Sequence, residues 1–344
     1  MVNHMKPNAK VLIVGAGAMG IITGYYLDLA GVAVTFLVRP NRVETLERPQ
    51  ILYCYDDVSL KYYTGCNIIT SPAEIAHGDY DYVILAIDGA ALRSPDGEQL
   101  VTAIGDAARG TETKVIIGTI GVGLRPRFLG RSGLRGEQVF NGGLYILIYQ
   151  VARVSLPVHP PTDPDLLNRA DFAYRHSGDI GLFVDDSAPE AARRFAEIYN
   201  ANGSSRCVVL DTQDFAAMLP PVFVILAACD LMGWPGAGHL ASDPQLWDLT
   251  VRAVKEVQGL SIHGEAGQKA QKTTTADSLL EMFKAMEAAA YPLDLPAFNR
   301  FHHGGKVFQQ DLRLLRDCVE LGEGEGQTMT ALKELITRVE AHHI

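Results

Sequence analysis

Near the start of the chain, Val11-Leu12-Ile13-Val14 runs directly into Gly15-Ala16-Gly17-Ala18-Met19-Gly20 and then into an amphipathic segment, Ala18 to Ala30, that ends at Gly31. An apolar strand, a turn with glycines at its first, third and sixth positions, and a following helix open a parallel α/β unit. The glycines serve separate purposes. Gly15 permits the tight turn, Gly17 lets a pyrophosphate approach the backbone, and Gly20 allows close helix packing. The N-terminus of the helix, at Ala18 and Met19, would attract the phosphates. A dinucleotide is therefore the expected ligand of this loop.

The same alternation continues. Short apolar runs, Lys10 to Val14, Val32 to Val38, Tyr82 to Ile87 and Lys114 to Ile117, are separated by segments with helical spacing, which reads as a doubly wound parallel sheet. Ile51 to Ile69, rich in Tyr, Val, Thr and Cys, reads as a β-excursion, and the sheet is expected to continue through Gln138 to Val151, Asp179 to Val184 and Cys207 to Leu210. Leu156 to Pro164 reads as a Pro-rich loop, and Ser187 to Asn202 as a helix with Ser187 as its N-cap. Beyond Asp211 the strand signal stops. Asp214 to Leu231, Pro244 to His263, Ala276 to Ala290 and Val307 to Leu321 have helical periodicity, broken at Gly233 to Gly236, Gly264 to Gly267, Pro292, Pro296 and Gly322 to Gly326. With 344 residues, about twice a typical domain, the expected fold class is α/β. An N-terminal Rossmann domain with a doubly wound parallel sheet spans residues 1–210, and a C-terminal all-helical substrate and dimerisation domain spans 211–344.

The end of the second strand bears on the choice of cofactor. A ribose-binding Asp or Glu is expected about 20 residues after the first glycines, yet the sequence reads Leu37-Val38-Arg39-Pro40-Asn41-Arg42, with no acid before Glu44. Arg39 stands in its place. A guanidinium there meets a 2′-phosphate with charge-assisted hydrogen bonds, and Arg42 is a second donor, so NADP(H) is expected over NAD. The other reading of Arg39 is a solvated loop charge.

These residues, Lys10 to Val14 with the glycine loop, Val34 to Pro40, Asp81 to Ile87 and the Gly121-Val122-Gly123 turn, resemble the ketopantoate reductase family over roughly the first 125 positions. The resemblance implies an NADP-binding Rossmann domain, a helical C-terminal domain like that of 6-phosphogluconate dehydrogenase, a substrate cleft between them and a homodimer. Cofactor positions carry over to Gly15, Gly17, Ala18, Met19, Gly20 and Arg39, and to the loops at Ile87, Asp88, Thr119, Ile120 and Gly121. The catalytic positions do not carry over. Asp88 lies in the Ile87-Asp88-Gly89 stretch where the family usually has a lysine, and Ile120 falls on an asparagine position. Met218 falls on the catalytic lysine, Val222 and Leu226 on two asparagines of the substrate cleft, and Lys306 near a glutamate.

A ketone reductase needs a proton donor because negative charge develops on oxygen as hydride arrives, and Met218 cannot supply one. Three readings follow: a reductase of an apolar ketone with another donor, a reductase of an iminium that arrives already protonated, or an NADP-binding protein without redox chemistry. Lys306 and His303 are the donor candidates, with His302 beside them and Asp88 and Tyr145 further off. Asp88, Asp294 and Asp311 are candidates to offset the charge of Lys306. A metal site at His302 and His303 is not expected, since adjacent helical residues diverge by about 100° and no third ligand is within sequence reach.

Composition narrows the partners. Asp plus Glu number 40 against 30 for Lys plus Arg, a net charge of −10, and the basic residues form no run, so nucleic acid and anionic membranes are not expected partners. Five cysteines without a CxxC spacing argue against a disulfide framework and for a reducing, cytoplasmic setting. The apolar runs, such as Val222 to Cys229, are read as too short to span a bilayer, and Val11 to Met19 as a buried strand rather than a signal-peptide core. His342 and His343 are expected to be disordered.

Overall fold

The computed structural model describes Ala9–His343, and the chain divides into two compact units. One ends at Ser155 and resumes over Pro161–Leu210; the other comprises Leu156–Pro160 and continues from Asp211. Leu156–Pro160 thus groups with the helical unit rather than with the residues that flank it. Val158 forms a β-bridge with Leu293, and the His159 ring lies 2.9 Å from the Asp294 carboxylate.

In chain order the first unit opens with β1 (Lys10–Val14), α1 (Ala18–Leu29), β2 (Ala33–Leu37), α2 (Val43–Glu47), β3 (Gln50–Cys54), β4 (Ser59–Tyr63), β5 (Asn67–Ile69) and β6 (Tyr82–Leu85). It continues with α3 (Gly89–Arg93), α4 (Pro95–Ala108), β7 (Lys114–Ile117), α5 (Leu124–Ser132), β8 (Val139–Leu144) and β9 (Leu147–Gln150). It closes with α6 (Pro164–Asn168), β10 (Phe172–Arg175), β11 (Ile180–Asp185), α7 (Pro189–Asn200) and β12 (Arg206–Leu210).

The main sheet has eight strands in the order β12-β11-β8-β7-β6-β1-β2-β5. Its neighbours are parallel except β8 and β11, which run antiparallel. The central strand β1 sets Ile13 beside Phe36 of β2 and Ile84 of β6. The order reverses at β1, because the chain moves outward through β2 and then returns to β6, and ligands of such sheets bind beyond the strand ends at that switch point.

The β-excursion has a larger consequence than the sequence pattern indicates. β3 and β4 join β10 and β9 in a second, four-stranded sheet ordered β4-β3-β10-β9. Gln138 to Val151 is accordingly divided: β8 stays in the main sheet, and β9 leaves for the second. One hydrophobic core holds β1 and β2, α1, α7 and the inner residues Leu52, Tyr63, Ile148 and Tyr174 of the second sheet. That placement corrects the expectation of an amphipathic α1. Gly20 to Leu27 are all buried, and a helix covered on every side is apolar all round. The helix expected from Ser187 begins instead after Ala188, with no side-chain cap, because the Ser187 hydroxyl donates to buried Asp185 at 2.6 Å.

In the second unit, α8 (Thr212–Met218) and α9 (Pro220–Leu231) are followed by α10 (Pro244–Gln258), α11 (Gly264–Thr273), α12 (Ala276–Ala290), α13 (Leu295–Phe301), α14 (Phe308–Gly324) and α15 (Thr330–His342). The break expected at Gly322 to Gly326 is present, since α14 ends at Gly324, whereas the one expected at Gly264 to Gly267 comes earlier, α10 ending at Gln258. Gly264 opens α11, where the Gln213 side chain accepts the Glu265 N–H at 3.2 Å, and Gly322 lies inside α14, where an added Cβ would meet the Met329 sulfur at 2.4 Å. Pro296 sits in the first turn of α13, where a missing N–H is tolerated.

The expectation that no segment is long and apolar enough to span a bilayer also needs correction. Thr212–Leu231 meets that criterion by length and composition, with a mean hydropathy of 1.7 over its best window. The apolar stretch is longer than Val222 to Cys229 because Pro220 and Pro221 open α9 instead of ending the helix. Phe223 through Asp230 are buried inside the helical unit, as in a core helix.

Candidate functional site

Gly15 adopts φ 99°, a backbone conformation that side-chain-bearing residues rarely take, and its N–H donates to Leu37 O at 3.0 Å. This ties the loop to the end of β2. A Cβ on Gly20 would lie 2.0 Å from Gly15 O, so the first turn of α1 rests directly on the loop. A Cβ on Gly17 would meet nothing within 4 Å. The three glycines therefore differ: Gly15 and Gly20 are required by the protein's own backbone, and Gly17 faces open space. Gly17 caps α1 without a side-chain hydrogen bond, and the first turn carries no acid. The N–H groups around Ala18 and Met19 thus form an uncapped, electropositive end suited to a phosphate.

Beside this loop lie the ends of β6 and β7. Ile87 and Ile120 are partly exposed, Thr119 is buried, and Gly121 packs against Leu124. Asp88 caps α3, accepting the Ala91 N–H at 2.7 Å, so its carboxylate is already engaged in holding the fold. At the end of β2, Arg39 is exposed and its guanidinium makes no hydrogen bond or ion pair among the described residues. The proposed cofactor residues thus gather at the carboxyl ends of four adjacent strands, β7, β6, β1 and β2.

The helical unit holds a second cluster. Between α13 and α14 the chain makes a π-helical turn, His302–Lys306, closed by a Val307 N–H to His302 O bond of 2.8 Å. Such turns are rare and occur often at functional sites. This one carries His302, His303 and Lys306 together. The His303 ring is 18% exposed, with Nδ1 2.7 Å from the Asp311 carboxylate. Burial raises the Asp311 carboxyl above its usual range against the opposing pull of His303, and its second oxygen has no partner. His302 is stacked on Phe298, and burial, with His303 and Lys306 adding to it, holds its imidazole well below the usual range. Lys306 is exposed.

A cavity of about 20 Å³, room for one water, lies against His303 and Asp311, walled by Phe223, Leu226, Trp234 and Asp230. Leu226 is therefore a buried wall of this cavity, while Met218 and Val222 are partly exposed. Tyr145 lies in the other unit, its ring 5.1 Å from that of Phe183. The C-terminal residues correct an expectation: His342 ends α15, and His343 contacts buried Asp230 at 2.6 Å and packs on Phe308. Sequence reasoning missed that pair, because Asp230 and His343 are 113 positions apart. Among the described residues there is no group of three or more His, Cys, Asp or Glu that could hold a metal.

The fold is shared with solved structures. A putative ketopantoate reductase from Ralstonia solanacearum MolK2 matches with a TM-score of 0.67 at 18% identity, covering 98% of each chain. The 2-dehydropantoate 2-reductase from Geobacter metallireducens GS-15 gives 0.66 at 18% identity, over 97% of this chain and 99% of that one. D-mandelate dehydrogenase, solved with NADH, gives 0.64 at 13% identity, over 97% and 98%. No curated protein sequence gives a significant match. Residues 11–95 match the family model described as ketopantoate reductase PanE/ApbA. That segment is what the chain has in common with the family model; it lies wholly within the first unit. The matched segment runs from β1 to the start of α4 and contains the glycine loop, Arg39, Ile87 and Asp88. It stops short of Ile120, Met218, Val222, Leu226 and the π-helical turn.

Proposed function

We propose that the protein is an NADP-dependent reductase transferring hydride to a C=O or C=N group of an apolar small molecule other than ketopantoate. The observation that carries this reading is the unpaired Arg39 guanidinium at the end of β2, in line with an uncapped glycine loop whose Gly17 leaves room for a pyrophosphate. Gly15 to Gly20 would hold the pyrophosphate, Arg39 the 2′-phosphate, and Ile87, Asp88, Thr119, Ile120 and Gly121 the remaining contacts. NADPH, when bound, supplies the hydride.

The proton, where one is needed, would come from His303, with Lys306 as the second candidate. Asp311 is a positioning residue: its hydrogen bond fixes the orientation of the His303 ring. Met218, Val222 and Leu226 give the substrate side an apolar character, which suits neither the carboxylate nor the hydroxyl of a polar hydroxy acid. The absence of a titratable group at Met218 also favours an iminium substrate, which needs no donor. We further propose a cytoplasmic homodimer.

The test is NADPH oxidation with matched panels of apolar ketones and cyclic imines, using the wild type, His303→Ala and Lys306→Ala. Turnover of ketones that collapses in His303→Ala assigns the donor to His303, and the same loss in Lys306→Ala moves it to Lys306. Faster reduction of imines, unaffected by either substitution, favours the iminium substrate. Tight NADPH binding with no turnover of either panel would replace the reductase by a non-redox NADP-binding protein.

A further inference from the structure

The first unit contains a second cavity, of about 270 Å³, near the lower edge of the roughly 300–1,000 Å³ of small-molecule sites. Its floor is apolar: Leu92 of α3, Val101 of α4, and Leu124 and Phe128 of α5, each at most 5% exposed. Its rim is basic. Arg93, Arg127 and Arg131 face a single carboxylate, Glu98, on a chain whose net charge is −10.

The three guanidiniums are not equivalent. Arg127 is joined to Glu98 at 2.5 Å, and Arg93 donates to Val122 O at 3.2 Å. Arg131 is exposed and makes no hydrogen bond or ion pair among the described residues. One uncommitted guanidinium beside an apolar floor matches one carboxylate with an apolar tail, since an Arg fork takes a carboxylate in two parallel hydrogen bonds while the tail leaves water.

We propose that this cavity is a second ligand site, taking a small monocarboxylate whose aliphatic chain lies over Leu92, Leu124 and Phe128 and whose head pairs with Arg131. Gly130 marks the opening. It lines the cavity, and an added Cβ there would meet nothing within 4 Å, so a large side chain at this position enters the cavity without disturbing α5. The proposal does not depend on the reductase reading.

The experiment is calorimetric titration of the full chain with sodium octanoate, alongside octyl glucoside as a neutral-headed control. It uses the wild type, Gly130→Phe and Arg131→Glu, each checked for an unchanged melting temperature. Saturable binding of one octanoate per chain, weakened at least tenfold in both variants and stronger than octyl glucoside binding, supports the site. Arg131→Glu, a change at an exposed side chain, keeps the test valid should Gly130→Phe fail to fold. The proposal is overturned by the absence of saturable binding at millimolar octanoate or by equal affinity for the neutral control. Undiminished binding in the variants, or displacement of octanoate by NADPH, which would place it in the nucleotide site, would overturn it as well.

Discussion

His303 and Asp311 are joined by a 2.7 Å hydrogen bond across the start of α14, with both side chains largely withdrawn from water. A buried carboxylate whose second oxygen is unpartnered is costly to maintain, and its one bond fixes the orientation of an imidazole. If His303 delivers the proton, His303→Ala lowers kcat/KM on ketones by about 10²- to 10⁴-fold and leaves imine reduction nearly unchanged. Asp311→Asn, which keeps the shape but removes the carboxylate that holds the His303 ring, lowers kcat on ketones with KM little changed and leaves imine reduction nearly unaffected. Ketone turnover undiminished by Asp311→Asn would leave Asp311 without a part in the proton transfer.

The glycine loop makes a prediction that separates folding from binding. Gly17→Ala introduces a methyl group into open space, so the melting temperature stays the same while NADPH affinity falls at least tenfold from contact with the pyrophosphate. Gly20→Ala places a methyl against Gly15 O and costs about 1–3 kcal/mol of stability, as overpacking does. Thermal unfolding and calorimetry on the two variants decide the matter; equal loss of stability in both would contradict the distinction.

Burial keeps His302 neutral in the folded chain, and it does the same for His263. An imidazole whose folded pKa is depressed lends stability that is present above the unfolded value of about 6.5 and is lost as pH falls below it, because the unfolded chain takes up the proton. Each such histidine costs up to about 1.4 kcal/mol per pH unit in that range. Urea midpoints at pH 7 and pH 5 should therefore fall with acidity. In His302→Phe, which preserves the packing on Phe298, the fall should be smaller.

Much of the nucleotide half was legible in the sequence because its signals are local. The run from Val11 to Gly20 sets strand, turn and helix within a few residues, and the alternation through Ile117 supplies the parallel strands. The second sheet was not legible in that way: β3 meets β10 through pairs such as Leu52 with Phe172, and no local pattern encodes a partner so distant. The residues at which the helices break were less legible for a related reason. Gly264 and Gly322 read as stops by propensity, but Gln213 caps one helix and Met329 fills the space left by the other glycine, both tertiary effects. His302, His303 and Lys306 were visible as residues, whereas the π-helical turn that groups them and the pairing of His303 with Asp311 depend on the packing of α9 and α14.

The most direct test of the nucleotide assignment is calorimetric titration of the full chain with NADPH and with NADH, repeated on Arg39→Ala. Tight NADPH binding is expected, with weaker NADH binding, and the variant should lose at least tenfold in NADPH affinity while its NADH affinity is unchanged. Equal affinity for the two nucleotides in the wild type, or NADPH binding indifferent to Arg39→Ala, would contradict the assignment.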